Sequence, residues 1–294
     1  MEPVTVCYTI SNPIEKRDRK AYIDQQLLRF KTELQAAILN GGVRGKESII
    51  RSSALINLIH DAVKFELIQN GVDPSQIYPH FDETKPEMKI AGFLKQKDQD
   101  VCVAPKNIAQ VKRRISWGPL ANENITDIYG EEYTRNTLII NVRSQMSSIA
   151  KNTDTLFERT FAEALNLHMM YRDAVLGEVY LIPVYEYDEA TMNERRITFK
   201  SHQTNVAKYI SFFSAINSRK DSNDELYKYE RCTLLIVDFK HKQPVLYRST
   251  AQLMEDNLLP KGFPLPFEAL SFDTFAKDIL ASYGQRFDLN NLKR

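Results

Sequence analysis

Residues 138–145 read LIINVRSQ, and they are followed by a helical stripe over Thr153–Met170 and by the apolar run VLGEVYLIPVY at 175–185. Side chains of an extended chain alternate between faces, so Leu138, Ile140 and Val142 share one side and Asn141, Arg143 and Gln145 the other. Leu156, Phe157, Phe161, Leu165 and His168 recur at helical spacing. Strand, helix, strand in that order is the pattern of α/β architecture. The run CTLLIVDF at 232–239 adds a strand apolar on both faces, as interior strands are, and PVLYRS at 244–249 offers it a partner. Between them and the earlier strands, Val206, Ile210 and Phe213 mark a helix over Asn205–Ser218. The expected fold is α/β, with a mixed central sheet flanked by helices and preceded by N-terminal helices.

Those first helices are predicted over Lys20–Leu39, ending at Asn40-Gly41-Gly42, and over Ser48–Gln69, ending at Asn70-Gly71. Next, Lys89–Gln96 and Asp100–Pro105 are β-compatible and predict a hairpin around the charged turn Lys97-Asp98-Gln99. Residues 106–136 form a polar, basic excursion with the single tryptophan, Trp117; a connection of that length is expected to be functional or mobile. No repeat or Pro/Gly/Ser linker divides the chain. One domain over 1–294 is expected, with a helical part to about residue 75, a core to about 250 and a helical C-terminal part beyond.

Composition narrows the function classes. The 294 residues are 43% hydrophobic and 26% charged, enough apolar material for a sizeable core and too much for disorder. No stretch approaches the roughly 18 uncharged apolar residues of a membrane helix, and the N-terminus lacks the layout of a secretion signal. Cys7, Cys102 and Cys232 are scattered and odd in number, which argues against a disulfide framework or a thiolate metal cage and favours a reducing, cytoplasmic setting. With 39 basic and 38 acidic residues, any polyanion-binding surface must come from local clusters such as Glu15–Lys20 and Val111–Arg114. No G-x-G-x-x-G, G-x-S-x-G or H-E-x-x-H occurs, the five histidines have no metal-ligand spacing, and Gly41–Ser48 departs from a phosphate loop by its glycine spacing and by Glu47.

The polar row on 138–145 carries the most information. Burying an amide and a guanidinium on a sheet costs several kcal/mol unless partners or a ligand satisfy them. An earlier strand begins with Asp98 and Asp100, so an acidic row can face an Asn-Arg-Gln row. Here the chain resembles the type II restriction endonucleases of the PD-(D/E)xK nuclease superfamily. Asp100 corresponds to the acid at a strand start and Asn141-Val142-Arg143 to the (D/E)xK strand, with Ser144-Gln145 in keeping. The likeness runs from about Arg51 to Phe239: helix, hairpin, motif strand, helix, strand, helix, apolar strand.

The resemblance implies a bacterial, dimeric enzyme cutting double-stranded DNA, with Mg2+ held by carboxylates on adjacent strands and a lysine steering the attacking water. Two positions depart from the pattern: Asn141 stands where an acid is expected, and Arg143 where the lysine is. Asn141 offers a neutral carbonyl, and Arg143 can grip a phosphate but cannot act as a base. Either another acid has moved in, or Asn141 silences the site, or the chain is a non-cleaving DNA reader. The competing acids are Glu66, Glu87, Asp98 and Glu178, and Glu87-Met88-Lys89 is itself a literal E-x-K triplet. Catalytic candidates are therefore Asp100, Asn141, Arg143, Gln145, Glu66, Glu87 and Lys89, with Asp100 and Glu87 as metal ligands. Lys112, Arg113, Arg114 and Trp117, together with Ser144, Ser147 and Ser148, are the expected DNA contacts. A homodimer is expected, because a palindromic target matches a two-fold protein. A partner-binding domain unrelated to DNA is the remaining alternative.

Overall fold

Two helices open the computed structural model, which describes residues 19–294; Cys7 and the start of the basic run Glu15–Lys20 lie outside them. α1 (Arg19–Arg51) buries Ile23, Leu27, Phe30, Leu34 and Ile38, the stripe its spacing predicts. The expected stop at residues 40–42 becomes a kink instead. Gly42 takes φ 61°, ψ −142°, and the helix resumes to Arg51 because Val43, Ile49 and Ile50 pack onto the core beyond it. The break that ends α1 is at Ser53, in the left-handed region, and α2 (Ala54–Gln69) starts there rather than at Ser48.

After α2 come β1 (Ile77–Tyr78), β2 (Met88–Ala91), β3 (Gln96–Gln99), β4 (Val101–Val103), β5 (Arg113–Arg114), β6 (Thr126–Asp127) and α3 (Glu131–Arg135). The predicted strand-helix-strand block is present as β7 (Leu138–Ser144), α4 (Ile149–His168) and β8 (Leu176–Pro183). A short α5 (Glu189–Met192), α6 (Val206–Ile216), β9 (Arg231–Asp238), β10 (Val245–Leu246), α7 (Thr250–Glu255) and α8 (Phe272–Gly284) complete the order.

Six strands form the central sheet in the order β1-β4-β7-β8-β9-β10. β7, β8 and β9 are parallel, and the outer pairings are antiparallel, so the sheet is mixed. Leu138, Ile140, Val142, Val179 and Leu235 pack with α1, α2 and α8 on one face; Ile139, Leu176, Tyr180 and Leu234 pack with α4 and α6 on the other. β9 is buried along its whole length, as its unbroken apolar run demands. No helix among the described residues is long and apolar enough to cross a membrane.

The expected pairing of Lys89–Gln96 with Asp100–Pro105 is not formed: β4 joins the central sheet between β1 and β7, and the hairpin present is β2 with β3. β2 pairs with β3, Lys89 opposite Asp98, so Lys97-Asp98-Gln99 is strand and the turn is Gly92–Lys95. Asn166 of α4 decides this. Its Oδ1 accepts the N–H of Leu94 at 2.7 Å and of Lys95 at 3.3 Å, and its carbonyl accepts that of Phe93 at 2.7 Å. Gly92 rests on the same residue: a Cβ there would meet the Asn166 amide at 2.3 Å and its carbonyl at 2.5 Å. Gly92→Ala is therefore expected to destabilise by about 1–3 kcal/mol, read as a lower urea midpoint with an unchanged slope. The excursion 106–136 is also built rather than loose, since β5 pairs with β6 and Ile115 and Leu120 form a small core with Ala91, flanked by Trp117 and Ile125.

Candidate functional site

Strand register gathers three of the chain's polar side chains at the centre of the sheet. In the parallel ladder of β7 and β8, Asn141 stands opposite Glu178. On the other side, β4 and β7 pair Val101 with Ile140, and Asp100 lies one step further along, at the bend between β3 and β4. Its Oδ2 accepts the Val142 N–H at 2.8 Å, so the carboxylate stands in for a missing backbone acceptor of the ladder. Alternation puts Asn141, Arg143 and Glu178 on the α4 side of the sheet, as the sequence predicts for the β7 residues.

Asn141 and Glu178 are completely buried. Arg143 lies along the row with Nε 3.5 Å from Glu178 Oε1, and its Nη1 donates to Thr160 Oγ1 of α4 at 3.1 Å. The helix is fixed at that point by the Tyr229 hydroxyl, which donates to the Thr160 carbonyl at 2.7 Å. One turn later, Glu163 receives Lys95 at 2.9 Å and Lys97 at 3.4 Å from the hairpin. Burial pushes the Glu178 carboxyl up to about 7; the Arg143 charge opposes this, whereas Asp100 reinforces it. Burial also works against a charged Glu163, but Lys97, Lys95 and Arg143 outweigh it and hold that carboxyl below its usual range.

Five buried atoms of the row have no hydrogen-bond partner among the described residues: Nδ2 and Oδ1 of Asn141, both carboxylate oxygens of Glu178, and Nη2 of Arg143. Each such group costs about 1–3 kcal/mol, which marks the spot as built to be completed by something polar. Two carboxylates and an amide carbonyl are hard oxygen donors, the set that suits magnesium or calcium. Among the described residues no group of three or more acids, histidines or cysteines is gathered where it could hold a metal ion. His60 of α2 lies within electrostatic reach of Asp100; burial holds it neutral, down to about 4, against the Asp100 pull. Histidine spacing along the chain gave no sign of this neighbour.

The other sequence candidates go elsewhere. Glu66 belongs to α2, which packs on the opposite face of the sheet from Asn141 and Glu178. Glu87 pairs with Lys85, and Lys89 is exposed across the hairpin from Asp98, so Glu87-Met88-Lys89 edges a two-stranded sheet and is not a motif strand of the main one. Of these acids, Glu178 is the one that the register brings opposite Asn141. Gln145 is occupied as a connector: its Oε1 accepts the hydroxyls of Tyr209 at 3.0 Å and Tyr180 at 3.4 Å, and its Nε2 donates to the Ser148 and Ile149 carbonyls. Ser144 and Ser147 are half-buried where β7 turns into α4. The start of that helix is already taken by an anion of the chain itself, because Glu186 accepts the N–H groups of Ser148 at 2.8 Å and Ile149 at 3.1 Å.

In the basic segment, Arg113 is structural. It bonds Asp127 at 3.1 Å and Glu131 at 2.8 Å and lies 4.5 Å from the centre of the Trp117 ring, while Trp117 Nε1 donates to the Gly92 carbonyl at 3.2 Å. Both side chains are half-buried. Lys112 and Arg114 are exposed. No protein-family model matches the chain, and no curated protein or solved structure is significantly similar to it.

Proposed function

We propose that the chain is a site-specific endonuclease that hydrolyses phosphodiester bonds in double-stranded DNA, working with magnesium as a homodimer. One observation carries the reading: the acid that β7 lacks at Asn141 stands directly across the ladder as Glu178, with neither oxygen hydrogen-bonded among the described residues and only the Arg143 guanidinium, 3.5 Å from Oε1, facing it. The order α2, β1, β4, β7, α4, β8, with its first pairings antiparallel and its last parallel, supports a restriction-endonuclease-like fold. Asp100, Glu178 and the Asn141 carbonyl would hold the cation. When bound, magnesium lowers the pKa of its water and polarises the phosphate. Arg143 is fixed by Glu178 and Thr160 and has Nη2 left to donate to a phosphate oxygen, so its part is to orient and neutralise.

Purified protein is expected to cut plasmid DNA into discrete fragments with magnesium or manganese and to leave it intact in a chelator. Absence of cutting across a broad set of DNA substrates would remove the enzyme reading. The complete burial of Asn141 and Glu178 favours a second reading, a DNA-binding protein that does not cleave. It is separated by salt-sensitive binding that calcium leaves unchanged. Under either reading, replacing Lys112 and Arg114 together by Ala should weaken DNA binding uniformly across sequences. The slope of log K against log salt should fall by up to about 2 units, with an unaltered Tm. An unaltered slope would clear that loop of phosphate contact.

A further inference from the structure

We propose that the cavity at the carboxyl ends of β8 and β9 binds a linear diamine or longer polyamine through its ammonium groups, at a site separate from the polar row and independent of the nuclease reading. The cavity measures about 350 Å³, and three carboxylates line it: Asp238, which ends β9, and Glu255 and Asp256 at the end of α7. Tyr185 and Tyr247 form two of its walls, and no lysine or arginine lines it. Both rings are held in place. Gln203 Nε2 donates to the Tyr185 hydroxyl at 3.0 Å, and the Tyr247 hydroxyl donates to Asp256 Oδ2 at 2.5 Å.

Asp238 is the strongest sign of a ligand. Its side chain is 8% exposed, and Oδ1 accepts the Lys240 N–H at 2.8 Å. Oδ2 accepts no hydrogen bond among the described residues and has only the exposed His241 ring, 3.5 Å away. A buried carboxylate oxygen in that state calls for a cationic donor. The chain's own ammonium groups are engaged elsewhere. Lys31 donates to the His241 and Lys242 carbonyls from the α1 side and acts on Asp238 through its charge alone, while the Lys240 ammonium lies 3.0 Å from the centre of the Tyr185 ring. Glu255 and Asp256 are exposed and have no ion-pair partner among the described residues. One acid at the floor and two at the rim suit a chain with an ammonium at each end, whose methylenes the tyrosine rings and Leu258 would cover. A metal ion fits less well, since among the described residues these acids are not gathered closely enough to coordinate one.

Calorimetric titration of the full chain with 1,4-diaminobutane, without DNA, tests the assignment. One saturable site per chain is expected in the parent. Asp238→Asn keeps an oxygen to accept the Lys240 N–H and should melt as the parent does, while binding the diamine on the order of 10–100-fold more weakly. Glu255→Gln, a change at the exposed rim, should weaken binding about threefold. Glu158→Gln removes an exposed acid of α4 outside the cavity and should bind as the parent does. Butylamine, with one ammonium, should bind at least about tenfold more weakly than the diamine, and magnesium at the same concentration should leave diamine binding unchanged. Should Asp238→Asn melt below the parent, Glu255→Gln carries the test, and unchanged binding there rejects the site. No saturable binding by the parent, equal loss in Glu158→Gln and Asp238→Asn, equal affinity for butylamine, or displacement by magnesium overturns the assignment.

Discussion

Asp100→Asn is expected to slow DNA cleavage by on the order of 10³-fold while folding as the parent does. The two effects separate because, under the proposed function, Asp100 would perform two tasks with one group. Its Oδ2 completes the β4–β7 ladder by accepting the Val142 N–H, and the Asn side-chain carbonyl can accept the same bond. The negative charge cannot be replaced, and in the proposed site, where two carboxylates would hold magnesium, its loss would forfeit several kcal/mol of charge stabilisation in the transition state. Asp100→Ala removes the hydrogen bond as well and should cost about 1 kcal/mol of stability beyond the Asn variant. Plasmid cleavage rates and thermal melts of the three proteins check this. An Asn variant that cuts like the parent would show that Asp100 serves the backbone only.

Glu178→Gln is expected to flatten the stability of the protein between about pH 5 and pH 8. With its carboxyl raised from 4.5 to about 7 by burial, the folded chain keeps a proton that the unfolded chain has already lost. Stability therefore falls as pH rises through that window, by roughly 3 kcal/mol in total, and the penalty is constant above it. Glutamine carries no such proton. It leaves Arg143 without its carboxylate at every pH, so the comparison is between slopes and not between absolute values. Urea unfolding at pH 5, 6.5 and 8 measures the difference; parallel curves for parent and variant would mean that Glu178 is ionised in the folded state throughout. Calcium should stabilise the parent more at pH 8 than at pH 5.5, since proton and cation compete for the same two oxygens, and should not stabilise the variant in this way.

The polar row of β7 was readable because it is a local property. Alternation along Leu138–Gln145 assigns Asn141 and Arg143 to one face whatever the strand packs against, and the structure puts them there. Gln145 obeys the same alternation, yet its amide oxygen is held by Tyr180 and Tyr209, from elements 35 and 64 residues away. Arg113 and Trp117 look like an exposed basic and aromatic pair until Asp127, Glu131 and the Gly92 carbonyl are brought to them. The misplaced hairpin turn has the same origin. Lys97-Asp98-Gln99 is polar enough for a turn, but three bonds from Asn166 set the reversal at Gly92–Lys95.

Hydrophobic spacing and length alone were enough for an α/β chain, for the helices at α4 and α6, for the buried strand β9 and for the facing of Asn141 and Arg143. These follow from periods of 2 and 3.6 residues that any chain must obey to bury its apolar side. Which of Glu66, Glu87, Asp98 and Glu178 lies beside Asn141 was decided by packing, which sets β8 against β7 so that Asn141 meets Glu178 and turns α2 and the hairpin edge away. Period tells each strand which face is inward, but the offset between two strands is a property of the whole core, since a slip of one residue would send every side chain of a strand to the wrong face.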